Sequence, residues 1–200
     1  MKPLSEDETA MLLNMCGVGG RYLDVTLAHD NLNKTAHKTM VQRYLKEFPK
    51  HLSDGLGLYI HGDYGVGKTS LAVILMREAL VREGKPYIVR ASDIPRIIIE
   101  KTEVPYLWEL GPCSEREILQ HCDLLVIDNL NEELSGKWQS TALEDLIRDR
   151  YENKRVTVVT SNLPPAKLST LISAGCASLM GDMMVPLEVK GVTWRTKKSL

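Results

Sequence analysis

The sequence predicts an α/β fold in three layers: a central, mostly parallel sheet flanked by helices on both faces. Two observations carry that expectation. Short apolar runs recur at 56–60, 87–90, 124–127 and 156–160, and amphipathic stretches lie between them at 70–81, 92–100, 114–120 and 140–151. Each of the four runs is apolar almost throughout, as a strand buried on both faces must be, and such strands belong to parallel sheets covered above and below. The β–α alternation agrees, because neighbouring parallel strands are joined by crossover connections. A fifth run, 185–189, also has a strand's length.

Ahead of the alternation lie two helical patterns. Ser5 followed by Glu6, Asp7 and Glu8 marks a helix start, since acidic side chains suit the first turn. That helix ends near Cys16, where glycines at 17, 19 and 20 punctuate the chain. From 35 to 48, Ala36, Met40, Val41, Tyr44, Leu45 and Phe48 fall at helical spacing, and Pro49 is expected to close the segment. No repeat, low-complexity tract or dividing linker is present. Residues 1–16 therefore read as a short N-terminal helix and 17–200 as a single domain.

The composition excludes several classes. A chain of 200 residues that is 44% apolar and 26% charged matches an ordinary soluble globular protein. Its net charge of −1 forces neither a nucleic-acid nor a membrane partner. No apolar run approaches the roughly 20 residues that span a bilayer, and the acidic start lacks the order of a secretory signal. Cys16, Cys113, Cys122 and Cys176 show no C-x-x-C spacing, which favours reduced thiols in a cytoplasmic protein over a zinc site.

The strongest motif is Gly62-Asp63-Tyr64-Gly65-Val66-Gly67-Lys68-Thr69, followed by Ser70. It follows the run 56–60 and opens the pattern 70–81, the strand-then-helix context that a phosphate-binding loop requires. Its glycines free the backbone to turn N–H groups onto phosphate oxygens, and the helix that follows points its positive end the same way. Lys68 then reaches the β- and γ-phosphates, and the Thr69 hydroxyl is a magnesium ligand. The expected ligand is ATP (or ADP) with magnesium.

A carboxylate for the metal belongs at the carboxyl end of a neighbouring strand, where ligands of open α/β sheets collect. Asp128 ends the run 124–127 and fits that role, through a water; the bland alternative is an Asp capping a turn. Hydrolytic members of this class place Glu next, but this chain has Asn129. An amide can position water but cannot take its proton, a loss of general-base assistance typically worth about 100-fold or more. Glu132 and Glu133 lie near in sequence.

Taken together, residues 17–195 resemble the ATPase domain of DnaC-type helicase loaders and of the related IstB-type transposition helpers, within the AAA+ class of P-loop NTPases. The resemblance rests on the order and spacing of Arg21-Tyr-Leu-Asp-Val-Thr26, the phosphate loop, Asp123 to Asp128, Trp138, Arg150-Tyr-Glu-Asn153, Thr160-Ser-Asn162-Leu-Pro164, and Lys190-Gly191 with Trp194-Arg195. It implies that Asn162 is a sensor between the γ-phosphate and the attacking water, although its side chain also suits a turn before Leu-Pro-Pro. It implies that Arg195 contacts the nucleotide from the C-terminal side, and that Arg21 and Tyr22 lie near the adenine. A solvated tail charge and a packing role are the respective alternatives.

One departure weighs against brisk catalysis. The family carries an arginine finger in a Ser-Arg-Leu context; here the text is Ala177-Ser-Leu179-Met180, and no arginine occurs between Arg155 and Arg195. A finger contributes about 10³–10⁵ in rate. Without it and without the Glu, the expectation is tight ATP binding and slow hydrolysis.

The resemblance also implies DNA and a replicative helicase as partners, and association with like or unlike chains through the ATPase face. Lys34, Lys38, Arg43, Lys46 and Lys50 against the single acid Glu47, and Lys190, Arg195, Lys197 and Lys198 in the tail, are either phosphate contacts or solvated faces. The region 92–110 matches the family's insertion for single-stranded DNA, with Arg96, Lys101, Tyr106 and Trp108 as contacts or as ordinary packing. Met11, Leu12, Leu13 and Met15 could face a protein partner or dock on the domain. The competing functions are thus a DNA-associated ATPase that loads a helicase, a non-catalytic ATP-dependent assembly factor or transposition helper, and, least favoured, a small-molecule kinase.

Overall fold

The computed structural model describes residues 4–27, 37–100, 103–104, 113–131 and 137–191. Its strands are β1 (Gly57–His61), β2 (Pro86–Arg90), β3 (Glu103–Val104), β4 (Cys113–Ser114), β5 (Leu124–Asp128), β6 (Val156–Ser161) and β7 (Met184–Glu188). Its α-helices are α1 (Glu6–Met15), α2 (His37–Lys46), α3 (Phe48–Asp54), α4 (Lys68–Val81), α5 (Ile94–Ile99), α6 (Glu115–His121), α7 (Lys137–Glu152) and α8 (Ala174–Met183).

Five strands form one sheet in the order β2-β5-β6-β1-β7, and every pairing in it is parallel. Strand periodicity divides the core into two halves. Leu58, Ile60, Leu124, Val126 and Val158 face the helices α1 to α4. Tyr59, Leu125, Ile127 and Val159 face α5 to α8 on the other side. The expected three layers are therefore present. Helix α4 is buried along most of its length, from Ser70 through Met76 and at Ala79 and Leu80, because it lies between the sheet and α1.

Local chemistry sets the ends of these elements. Ser5 caps α1 in a reciprocal box with Glu8, 3.2 Å from hydroxyl to the Glu8 N–H and 2.7 Å from the Glu8 carboxylate to the Ser5 N–H. Arg77 of α4 holds α1 to the sheet side through Glu6, at 2.9 Å, and also donates to the Leu23 carbonyl.

Several expectations are corrected. Pro49 does not close the helix before it: α2 stops at Lys46, and Pro49 lies in the first turn of α3, where its missing N–H costs nothing. The helical pattern 92–100 is present, as a 3₁₀ turn (Ala91–Asp93) that runs into the short α5, with Pro95 in its first turn. The two-residue antiparallel pair β3–β4, the 3₁₀ helix Pro165–Thr170 and α8 were not expected from the sequence.

The sheet's outer edges are both occupied or blunted. The Ile88 N–H of β2 donates to the Cys16 carbonyl at 3.0 Å. At the other edge β7 carries Pro186, which has no N–H to offer.

Arg150 of α7 is fully buried. Its guanidinium donates to the carbonyls of Leu119 (2.8 Å), Cys122 (3.1 Å) and Val156 (2.7 Å) and to the Thr157 hydroxyl (2.9 Å). One side chain thus ties α7 to α6, to the entry into β5 and to β6; burial pushes its pKa down against its ordinary value. Replacing Arg150 with Met removes the charge but strands these neutral acceptors, and is expected to lower stability by about 1–3 kcal/mol, the cost of leaving a buried polar group unsatisfied. A urea unfolding curve measures this.

Candidate functional site

At β1 the chain's connections diverge: α4 carries it toward β2 on one side, and α8 carries it past β1 to β7 on the other. The carboxyl end of β1 therefore opens into a crevice of the kind that binds ligands in such sheets. The predicted phosphate loop occupies it. Gly62 has φ 146°, and a Cβ there would lie 2.1 Å from the Val189 carbonyl oxygen, so no larger residue fits. Gly67, at φ 98°, is the N-cap of α4 and offers no side-chain cap, which leaves the first N–H groups of that helix without an intrahelical partner. Val66 is buried and anchors the loop, whereas Tyr64 is 70% exposed at its tip.

The polar groups around this loop form a closed ring. Lys68 Nζ donates to the carbonyls of Gly62 (2.8 Å) and Asp63 (2.7 Å) and to Asn162 Oδ1 (2.8 Å). Thr69 donates its hydroxyl to Asp128 Oδ1 at 2.9 Å, and Thr160 of β6 donates to the same oxygen at 2.6 Å. The Thr160 hydroxyl accepts from the Asn129 N–H at 2.9 Å. Asn131 Nδ2 donates to Asn129 Oδ1 at 2.5 Å, and Asn131 Oδ1 accepts the Asn162 N–H at 3.0 Å. From Asn162 the ring returns to Lys68.

The donor set suits a magnesium nucleotide. Asn162 Nδ2 is buried with no hydrogen-bond partner, an orphaned donor beside Lys68 and the start of α4. Such a group calls for an acceptor. Thr69 and Asp128 meet through two oxygens, the ligand type that magnesium takes. His61, just before the loop, is held below its ordinary pKa chiefly by burial; Lys190 and Lys68 act in the same direction and Glu188 opposes them.

Thus Gly62 to Ser70, Asp128 and Asn162 come together as the sequence suggests. Arg21 and Tyr22 lie in a 3₁₀ turn, Arg21 exposed and Tyr22 half-buried against the α4 side of the core. Leu179, at the finger's position, is half-buried in α8. Arg195, Glu132, Glu133, Lys34, Lys101, Tyr106, Trp108, Lys197 and Lys198 lie outside the described residues. The sequence reading missed Asn131 and the part played by Thr160. The signal for Asn131 was its place two residues beyond Asn129, with the buried Leu130 between them.

A family model described as IstB-like ATP binding protein matches residues 50–197. The chain is 27% identical over 147 residues to the chromosomal replication initiator protein DnaA of Bartonella quintana, across 70% of this chain and 28% of that one. It is 23% identical over 134 residues to the replicative helicase loader DnaC of Escherichia coli K12, across 66% of this chain and 51% of that one. The chain thus spans about half the length of that DnaC and a smaller share of that DnaA. Among solved structures, the DnaC helicase loader superposes with a TM-score of 0.69 at 23% identity, covering 86% of this chain and all of that one. DnaI superposes with a TM-score of 0.71 at 20% identity, covering 89% and 94% respectively. These likenesses show the fold.

Substituting Gly62 with Ala tests the loop. The added methyl must displace the Val189 backbone or strain φ, at a cost of about 1–3 kcal/mol. A thermal shift assay is expected to show a lower Tm and a loss of the Tm increase that ATP gives the wild type.

Proposed function

The chain belongs to the IstB-like ATP-binding family, and on that premise we propose that it is a magnesium–ATP switch of the helicase-loader type, acting on DNA in replication. The observation that carries this reading is the closed ring from Lys68 through Asn162, Asn131, Asn129, Thr160 and Asp128 to Thr69. It links the phosphate loop to the ends of β5 and β6, so the groups that would meet a γ-phosphate are coupled to two strands. Lys68, the loop N–H groups and Asn162 would hold the phosphates, and Thr69 and Asp128 would hold magnesium. The nucleotide would supply a cleavable γ-phosphoryl group.

Hydrolysis by the chain alone is slow in this reading. Asn129 lacks a basic oxygen for the water's proton, and Leu179 brings no cation to the phosphate. An unlike neighbouring chain is the expected source of that cation through the ATPase face, because a copy of this chain carries the same leucine. The same features favour a second reading, in which ATP fixes an assembly-competent shape without turnover. The setting proposed for either is the cytoplasm; no helix among the described residues is long and apolar enough to cross a membrane.

Surface chemistry supports the partners. Among the described residues, Arg43 and Lys46 of α2 and Arg82 after α4, the last ion-paired with Glu78, line an open cleft of about 740 Å³, a setting for a single-stranded DNA backbone. On α1, Met11 is 64% and Met15 36% exposed, an apolar surface suited to a protein such as a replicative helicase.

ATP turnover by the purified chain, with and without single-stranded DNA, tests the reading. The expected rate alone is on the order of 10⁻³ s⁻¹, the range of phosphate-loop enzymes awaiting a finger. Stimulation by DNA supports the ATPase; nucleotide-dependent assembly without turnover supports the second reading. Brisk hydrolysis by the isolated chain, or undiminished ATP binding by Lys68→Ala, would sink the proposal. In a fluorescence anisotropy titration, the double variant R43E/K46E is expected to weaken DNA binding and to flatten its log–log salt dependence by about 1.4, at roughly 0.7 per lost phosphate contact.

A further inference from the structure

Asn131 is 8% exposed and bonded to both asparagines of the crevice, yet neither the phosphate loop nor the metal ligands need it. We propose that Asn131 is a positioning residue that fixes the Asn129 amide with its N–H₂ group toward the γ-phosphate of ATP. This rests on the crevice being an ATP site.

One group in the ring has a polarity that is beyond choice. The backbone N–H of Asn162 can only donate, so the Asn131 atom 3.0 Å away is its carbonyl oxygen. The other end of the Asn131 amide must then be N–H₂, which can only donate. Its partner 2.5 Å away on Asn129 must therefore be the oxygen. With that oxygen turned toward Asn131, the N–H₂ is the end of the Asn129 amide left facing away from it. Asn129 is exposed at the end of β5 and held at φ 64°, and its N–H is fixed by Thr160, so the side chain is set from both sides.

Asn162 is oriented by the same logic. Its oxygen accepts from Lys68, leaving Nδ2 buried and without a partner. Two amides at the ends of neighbouring strands thus turn their oxygens inward and keep their donors for a ligand. Donors of this kind favour the more highly charged nucleotide. They offer no acceptor for a water's proton, so the arrangement selects triphosphate over diphosphate while withholding base assistance.

Asn131→Asp reverses the polarity. Ionised, the new carboxylate still accepts from Asn162 N–H but cannot donate, so Asn129 must flip and present its oxygen to the phosphate. Fluorescent ATP and ADP analogues, titrated into the wild type, Asn131→Asp, Asn129→Gly and the double variant, test the proposal. Glycine suits the positive φ at 129, so that variant removes the amide while keeping the backbone.

Each single variant is expected to lower the ATP-to-ADP affinity ratio about tenfold or more, with ADP affinity nearly unchanged. In the Asn129→Gly background, Asn131→Asp should lower the ratio no further, because its route to the phosphate is gone. A mere charge effect of the new carboxylate would persist in the double variant and would overturn the proposal. So would equal loss of both nucleotides, the mark of a purely structural role, or an unchanged ratio in Asn129→Gly. A wild type that binds neither nucleotide would remove the ATP-site reading itself, a distinct result.

Discussion

One carboxylate oxygen holds the crevice together. Asp128 Oδ1 accepts a hydroxyl from Thr69 at the start of α4 and another from Thr160 near the end of β6. Three elements that share no sequence neighbourhood therefore end on one acceptor. Charge-assisted hydrogen bonds of this kind are about twice as strong as neutral ones, and they draw the phosphate loop against the two central strands. Lys68, Asn162 and the asparagine pair then complete a ring whose members are all placed by backbone elements with buried cores on both faces.

Much of this was legible in the sequence, and for identifiable reasons. Strands such as Leu124–Asp128 declare themselves because burial on both faces leaves no room for polar positions until the last residue. The loop at Gly62 to Thr69 is legible because each residue answers a local demand: a positive φ, a donor, a ligand. What the sequence hid depends on proximity across the sheet. Thr160 lies 32 residues from Asp128, and Asn131 lies 31 from Asn162. No local periodicity marks such pairs. Pro49 misled for a different reason: a proline ends one helix and begins another equally well, and only the chain's course decides which. Helix α8 was missed because its small and sulfur-bearing residues, Ala174, Cys176 and Met180 among them, give a weak amphipathic pattern.

The departures from the family pattern are of one kind. Asn129 and Leu179 stand where the resemblance implies an acid and a cation, and each puts a neutral side chain there. The groups around the crevice are the Asp128 carboxylate, neutral amides, a lysine and helix N–H donors. In the proposed reading such a site holds an anion well and does little to break it. Arg150 shows the complementary economy elsewhere: a full charge is sunk in the core where it satisfies backbone carbonyls.

The edges of the sheet carry a further consequence. On one side the outer rim of β2 is bonded to the turn that ends α1 at Cys16, and on the other the rim of β7 lacks an N–H at Pro186. Open strand edges invite neighbouring chains to add to the sheet, the route to fibrils and swapped domains. Here neither rim offers a regular row of donors and acceptors. Copies of this molecule crowded together therefore meet rims poorly suited to sheet extension, and ordered assembly is expected to run through side chains on helices and loops.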